Sequence, residues 1–364
     1  MGTLTKYHLK EYSFYTLVFY LIFSILITLI QGILRLQKFI DLSPPFHKIV
    51  QFFILMYFQL IPFTLPLASF MGVIFAIHRF KEDRELLGFY SLGFSTKDLV
   101  KPLVLFGILA FILVFIFNFW VLPLSKRTLR LMKYQLMKAE FSKPFPSKKP
   151  IPIASNYVLY VKRDKRRKGK HELKYVFLYN QANKNTYLFV AENGTLIPRE
   201  KTLILENGWS FSLEEKKTIG IIRFKRYQFK LPLKTVNSKP SFSRGEQTLK
   251  ELTQKIKKSK PGSTDYYSYL DEYWSRFLYP LSIFFLIFEG FVIARWIGTS
   301  HKFLLFFIGV GSYTLFYIFY DLFLSLGKNG RLTPPYNFLI FYIVTFFVLL
   351  IQILIFSRKK EVYL

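Results

Sequence analysis

Six stretches of the chain are apolar over enough residues to cross a bilayer. Residues 12–34 (YSFYTLVFYLIFSILITLIQGIL) hold no ionised side chain and exceed the roughly 20 helical residues that a hydrocarbon core requires. The run is too long for a signal-peptide core and no small-residue cleavage site follows, so it is expected to stay attached. Residues 49–77 form a second span, interrupted by Pro62 and Pro66. Prolines inside a membrane helix free backbone carbonyls that neighbouring helices or water must satisfy, and a kink is expected there. Residues 101–123 form a third span, ending at Pro123, and residues 277–297, 303–326 and 336–356 complete the set.

Between the third and fourth spans the period of the pattern falls to two. YVLYVKR, KYVFLYNQ, TYLFVAENGTLI, TLILENGWSFSL and GIIRFKRYQFKL alternate apolar with polar positions, with Asn193-Gly194 and Asn207-Gly208 as turn dipeptides. The pattern predicts an antiparallel β domain, a sandwich or open barrel. Lys162–Lys170 (KRDKRRKGK) reads as a solvated loop, and residues 234–268 as a linker or exposed helix. The expected organisation is residues 1–123 with three spans, 124–268 with the β domain and linker, and 269–364 with three more spans.

A second change of pattern lies between spans two and three. The apolar run gives way at Ala76-Ile77 to the charged run Arg79 to Glu85, then to a short helix-like piece exposing Leu86, Leu87, Phe89 and Tyr90, which stops at Gly93. A charged helix between two spans can serve as a lever pushed by a partner outside the bilayer.

Charge decides orientation and restricts partners. The formal net charge is +29, and residues 124–269 hold 33 Lys and Arg against 11 Asp and Glu; so basic a region expects an anionic partner. Among the short loops, the side carrying both termini and Arg79–Lys101 has twelve Lys or Arg against five on the other. That places it in the cytoplasm and the β domain on the far side, the periplasm of a two-membrane bacterium. There is no Cys, which excludes disulfides and thiolate chemistry. The five His lack metal-ligand spacing, no G-x-S-x-G nucleophile elbow occurs, and no G-x-x-x-x-G-K-[ST] run is present. Neither catalysis, a metal nor a cofactor is expected, and ATP chemistry must come from a partner.

In this layout the chain resembles the permease subunits of the lipopolysaccharide export transporter, the YjgP/YjgQ family. The resemblance rests on Leu65-Pro66-Leu67, Phe70, Gly72, Glu85 and Gly93, with weaker matches at Lys6-Tyr7…Glu11, Asn207-Gly208, Glu272…Arg276…Pro280-Leu281 and Leu332…Pro334. The segment Glu289–Trp296 departs from it by placing a glutamate in an apolar region. The resemblance implies six spans with a periplasmic jellyroll-like β domain. It implies a half-transporter that pairs with a paralogous permease as a heterodimer above a homodimeric cytoplasmic ATPase, which binds the ATP. It further implies that lipopolysaccharide is lifted from the inner membrane and passed to a periplasmic jellyroll bridge protein.

Three sets of candidate residues follow. Asp83, Glu85, Leu86, Leu87 and Gly93 would form the coupling helix, at about residues 79–93, docking into the ATPase; the alternative is an ordinary solvated loop. Arg35, Lys38, Arg130, Lys133, Lys328 and Arg331, at the far ends of the spans, would hold the substrate's phosphates through charge-assisted hydrogen bonds, or serve only as snorkelling anchors. Alternation places Val158, Tyr160, Leu188, Val190 and Ile204 on one face, the closed core of a sandwich; an open jellyroll, as the family implies, would receive acyl chains there at Leu188, Val190 and Ile204. Glu289 and Asp321 are costly polar groups within spans, for which pairing with a basic residue of the partner permease is favoured over a proton relay. The rival reading is a membrane-anchored envelope assembly protein whose basic β domain binds an anionic polymer or nucleic acid, with Phe224–Lys230 as its interleaved aromatic and basic signature.

Overall fold

A computed structural model describes residues 2–40, 44–140, 150–154, 157–167, 170–182, 185–197, 202–214, 217–230, 240–297 and 302–358. Six helical stretches are long and apolar enough to cross a membrane: Thr3–Gln37, Phe46–Glu82, Asp98–Met137, Thr264–Trp296, Lys302–Lys328 and Tyr336–Ile355. The chain divides into a helical unit (Met1–Gln37, Pro45–Leu129 and Phe242–Leu364) and a β unit (Lys38–Pro44 and Arg130–Ser241). The Arg130–Ser241 part of the β unit lies inside the 124–268 interval drawn from the sequence, and Lys38–Pro44 lies before it.

Helix α1 spans Thr3–Ile40 and α2 spans Phe46–Glu82. Helix α2 is the centre of the helical unit: 78% of its most apolar window is buried, against 11% for the last span. Small residues let its neighbours close in. A Cβ on Gly72 would lie 2.3 Å from Thr16 Oγ1 and 2.6 Å from the Thr16 backbone nitrogen, so only glycine allows α1 to approach here. Both prolines of α2 lie inside one continuous helix. Pro66 has no N–H for the Pro62 carbonyl, and the Tyr279 hydroxyl donates to that oxygen instead at 3.1 Å.

Helix α3 is Glu85–Ser91 and α4 is Thr96–Ile116, followed by a π-helical turn, Phe117–Val121, and α5, Leu122–Glu140. The third span therefore does not end at Pro123. The π turn moves the Leu122 N–H onto the Phe117 carbonyl, five residues back, and the proline continues the helix beyond it. Buried Asn118, in that turn, donates to the Arg276 carbonyl at 3.2 Å. After the β unit come α6 (Leu249–Lys258), α7 (Thr264–Leu278), α8 (Ser282–Trp296), α9 (Lys302–Lys328) and α10 (Tyr336–Arg358). Helix α6 is the exposed helix that the polar 234–268 segment allowed, capped by Thr248 and Glu251.

The β unit is one open antiparallel sheet whose strands follow chain order: β1 Pro150–Ala154, β2 Tyr157–Arg167, β3 Lys170–Ala182, β4 Asn185–Ile197, β5 Thr202–Glu214 and β6 Lys217–Lys230. Among the described residues no second sheet packs on it, so it is not a two-sheet sandwich. KRDKRRKGK is no loop over its described part: it is the end of β2 and start of β3, with Asp164 turned inward to His171 at 2.7 Å.

Nor do the two Asn-Gly pairs form turns. They lie inside β4 and β5, on a line where every strand from β3 to β6 changes the face of its apolar set. Buried positions two apart along each strand become three apart there, at Leu173/Val176, Ala191/Gly194 and Leu205/Gly208, and these pair across the sheet. Tyr175 and Asn207 take positive φ on this line, and a Cβ on Gly208 would meet the Val190 carbonyl at 2.3 Å. The register is unchanged across this line, with Leu173 opposite Gly194 and Val176 opposite Ala191, so the strands pass it together and the apolar set changes face without a slip in pairing.

Candidate functional site at the α3 end of the helical unit

The charged turn after α2 is built from three local devices. Arg84 adopts left-handed φ, +57°, breaking α2 from α3. Helix α3 ends when the Phe94 N–H reaches the Phe89 carbonyl and the Gly93 N–H that of Tyr90, each at 3.0 Å. Gly93 at φ +86° supplies the left-handed residue that this ending needs. Helix α4 restarts on Ser95, whose backbone N–H donates to Asp98 Oδ2 at 2.8 Å.

The side chains then fasten this turn to other spans. Arg79 lies 2.5 Å from Glu11 of α1, 3.0 Å from Asp83 and 3.4 Å from Glu85. The Tyr7 hydroxyl lies 2.9 and 3.0 Å from the two Glu85 carboxylate oxygens. Tyr7 and Glu11 sit one helical turn apart on the same face of α1. Glu82 pairs with Lys302 of α9 at 2.7 Å. Single exposed pairs contribute only about 0–1 kcal/mol; the effect of this network is geometric, fixing α3 to α1.

Of the apolar residues expected to be exposed, Leu86 is buried on the core, and Phe89 and Tyr90 pack against it. Their positions on a 3.6-residue helix turn them inward. Leu87, by contrast, is 56% exposed, as are Leu92 (75%) and Phe94 (38%). An open groove of about 500 Å³ runs between α1 and α3, lined by Leu4, Tyr7, Gly88, Phe89 and Leu92. Glu85 is held within the chain, while Asp83 and Leu87 face outward.

At the opposite end of the helical unit the basic side chains are arranged differently. Arg35 is exposed, with its guanidinium 3.7 Å from Met56 Sδ. Lys328 closes α9 and Arg331 follows it, and neither makes an ion pair among the described residues. Half-buried Lys126 of α5, which the sequence reading passed over, sits in the field of Arg35, Arg276, Glu272 and Glu246. Within the β unit, Arg130 donates to the Ser241 carbonyl and Lys133 is exposed; the Lys38 side chain lies outside the described residues.

The face assignment in the β unit is reversed. Val158, Tyr160, Leu188, Val190 and Ile204 do share a face, but the packed cluster of Leu159, Val161, Leu178, Phe189, Ala191, Leu203 and Leu205 lies on the other. Val190 is 42% exposed. A cavity of about 160 Å³ opens on the packed face, lined by Tyr187, Phe189, Ser210, Ile222, Phe224 and Tyr227. Phe224, Tyr227 and Phe229 turn toward Phe189, with ring centres 4.5–5.5 Å apart. The aromatics and bases of β6 therefore point to opposite faces and do not form the mixed platform of the rival reading.

Within the spans, Ser312 of α9 donates to Glu289 of α8, so the glutamate is satisfied inside the chain. Asp321 lies exposed on α9. Among the described residues no group of three His, Asp or Glu could hold a metal ion.

Comparison with protein families matches residues 6–358 to the model of the lipopolysaccharide export system permease LptF/LptG. Comparison with curated proteins finds no match.

Proposed function

The chain belongs to the LptF/LptG family of lipopolysaccharide export permeases, and on that premise we propose that it relays the push of a separate ATPase to the lipid. The chain is a multi-pass inner-membrane transport subunit. In the proposal α3 faces the cytoplasm and docks into the ATPase through Leu87, Leu92 and Asp83. Glu85 acts from behind, holding α3 to α1 through Tyr7 and Arg79. The observation that carries this reading is two exposed leucines, Leu87 on a short helix and Leu92 just past its end, where the acidic residue of that helix, Glu85, is tied back to the first two spans.

A paralogous permease completes the membrane unit, and the β unit lies in the periplasm, where a jellyroll bridge protein takes over the lipid. In the helical unit Arg35, Lys126, Lys328 and Arg331 supply cations for the substrate's phosphates, and in the β unit Lys38, Arg130 and Lys133 are separate candidates for the same role. Acyl chains enter the packed face of the sheet at the Phe189–Phe224 cavity, since Leu188, Val190 and Ile204 point to the opposite face. The test is purification of the complex carrying Leu87→Asp together with Leu92→Asp. The ATPase should be lost from it; a complex that retains the ATPase and transports normally rejects α3 as the dock.

A further inference from the structure

We propose that Lys81 is the joint that transmits movement of α3 to α8, a positioning residue that acts by capping the open end of that helix. The last carbonyls of an α-helix have no partner within it and form the negative end of its dipole. Lys81 Nζ lies 3.2 Å from the Ala294 carbonyl, 3.0 Å from that of Arg295 and 2.6 Å from that of Ile297. All three ammonium donors are thus spent on one helix end. Lys81 is half-buried and pairs with no carboxylate among the described residues, so it is not a solvated surface charge.

Its neighbours point elsewhere. Successive helical residues are about 100° apart, and Arg79, Lys81 and Glu82 accordingly fan out to α1, α8 and α9. Helix α3 begins only three residues later. Arg295, at the capped end, also reaches Thr96 at the start of α4, at 3.5 Å. A displacement of α3 is therefore carried into α8 rather than taken up by a slack loop.

The inference rests on α3 being the ATPase contact, and the test separates the two. Because the chain has no Cys, spin labels can be placed at Ser91→Cys on α3 and Trp296→Cys on α8 of the whole complex, reconstituted with lipopolysaccharide. With Lys81 present, the Ser91–Trp296 distance distribution stays the same with and without trapped ATP. With Lys81→Met it shifts or broadens on nucleotide binding, the ATPase still co-purifies and hydrolyses, and lipid released per ATP falls about tenfold, within the range of ordinary coupling energies. Lys81→Arg, which keeps the donors, restores most of that release. A nucleotide-dependent distance with Lys81 intact, or unchanged release per ATP in Lys81→Met, overturns the proposal. If Lys81→Met does not assemble, the distance measured with Lys81 intact decides. Retention of the ATPase by the Leu87→Asp, Leu92→Asp complex would remove the docking reading alone.

Discussion

The two ends of the helical unit differ in how their charges are satisfied. At the α3 end, Arg79, Lys81, Glu82 and Glu85 each have a partner on another helix. At the other end Arg127 pairs with Glu251 and Arg276 with Glu272, but Arg35, Lys126, Lys328 and Arg331 make no ion pair among the described residues, and Lys126 is half-buried in that state. Charges satisfied within the chain hold parts in fixed relation and suit transmission. Cations left without carboxylates suit an anion that arrives from outside. One helix, α2, reaches from the first environment toward the second, with most of its apolar middle buried.

The largest effect should come from breaking what both ends share. Gly72→Val would drive a branched side chain into the Thr16 backbone, which cannot swing aside. The cost exceeds the usual 1–3 kcal/mol of overpacking, and folded permease recovered on size-exclusion chromatography should fall to background. Removing only unpaired cations at the other end should leave the fold intact. Arg35→Gln with Lys126→Gln should weaken lipopolysaccharide binding about a hundredfold or more, from roughly 1.5–3 kcal/mol for each of the two charged hydrogen bonds lost, with the melting temperature held. Sharpening the paired end, Tyr7→Phe removes the hydroxyl on Glu85 and should cost about 1 kcal/mol, read as a lower melting temperature with the ATPase retained.

The smallest effect is one of pH, outside the spans. The Thr248 backbone N–H, followed by Arg127, holds the Glu251 carboxyl below its ordinary value. A depressed pKa contributes stability above the unfolded value and loses it as pH falls through the folded one. Hydrogen exchange in α6 should therefore quicken on acidification below the ordinary glutamate range, and Glu251→Gln should flatten that response.

How far the sequence foretold this arrangement depends on the range of each interaction. The six spans were legible because burial in lipid requires unbroken apolar runs, and Gly93 was legible because a helix ending needs a left-handed residue there. The carbonyl freed by Pro66 was foreseeable, though its partner, Tyr279, is 217 residues away. The faces of the β unit were not legible. Alternation extended straight through Tyr175 and Asn207 selects Val190 and Ile204, whereas the apolar set changes face across that line. Likewise Arg79 and Lys81 read as orientation signals and as part of the charged lever, but not by their partners, because Glu11 and the α8 carbonyls reach them only through the packing of α1 and α8 on α2. The i, i+4 spacings of Tyr7 with Glu11 and of Arg79 with Asp83 were the local signs of that network.

The account stands on α3 being fastened to α1, and one measurement tests this most directly: ATP-driven lipopolysaccharide transfer by the reconstituted complex carrying Glu11→Arg, Arg79→Glu, or both. Each single reversal should lower lipid moved per ATP about tenfold, and the double exchange, which restores opposite charges across α1 and α2 but leaves Asp83 and Glu85 without their arginine, should recover part of it. Normal transfer by both single variants would contradict the account.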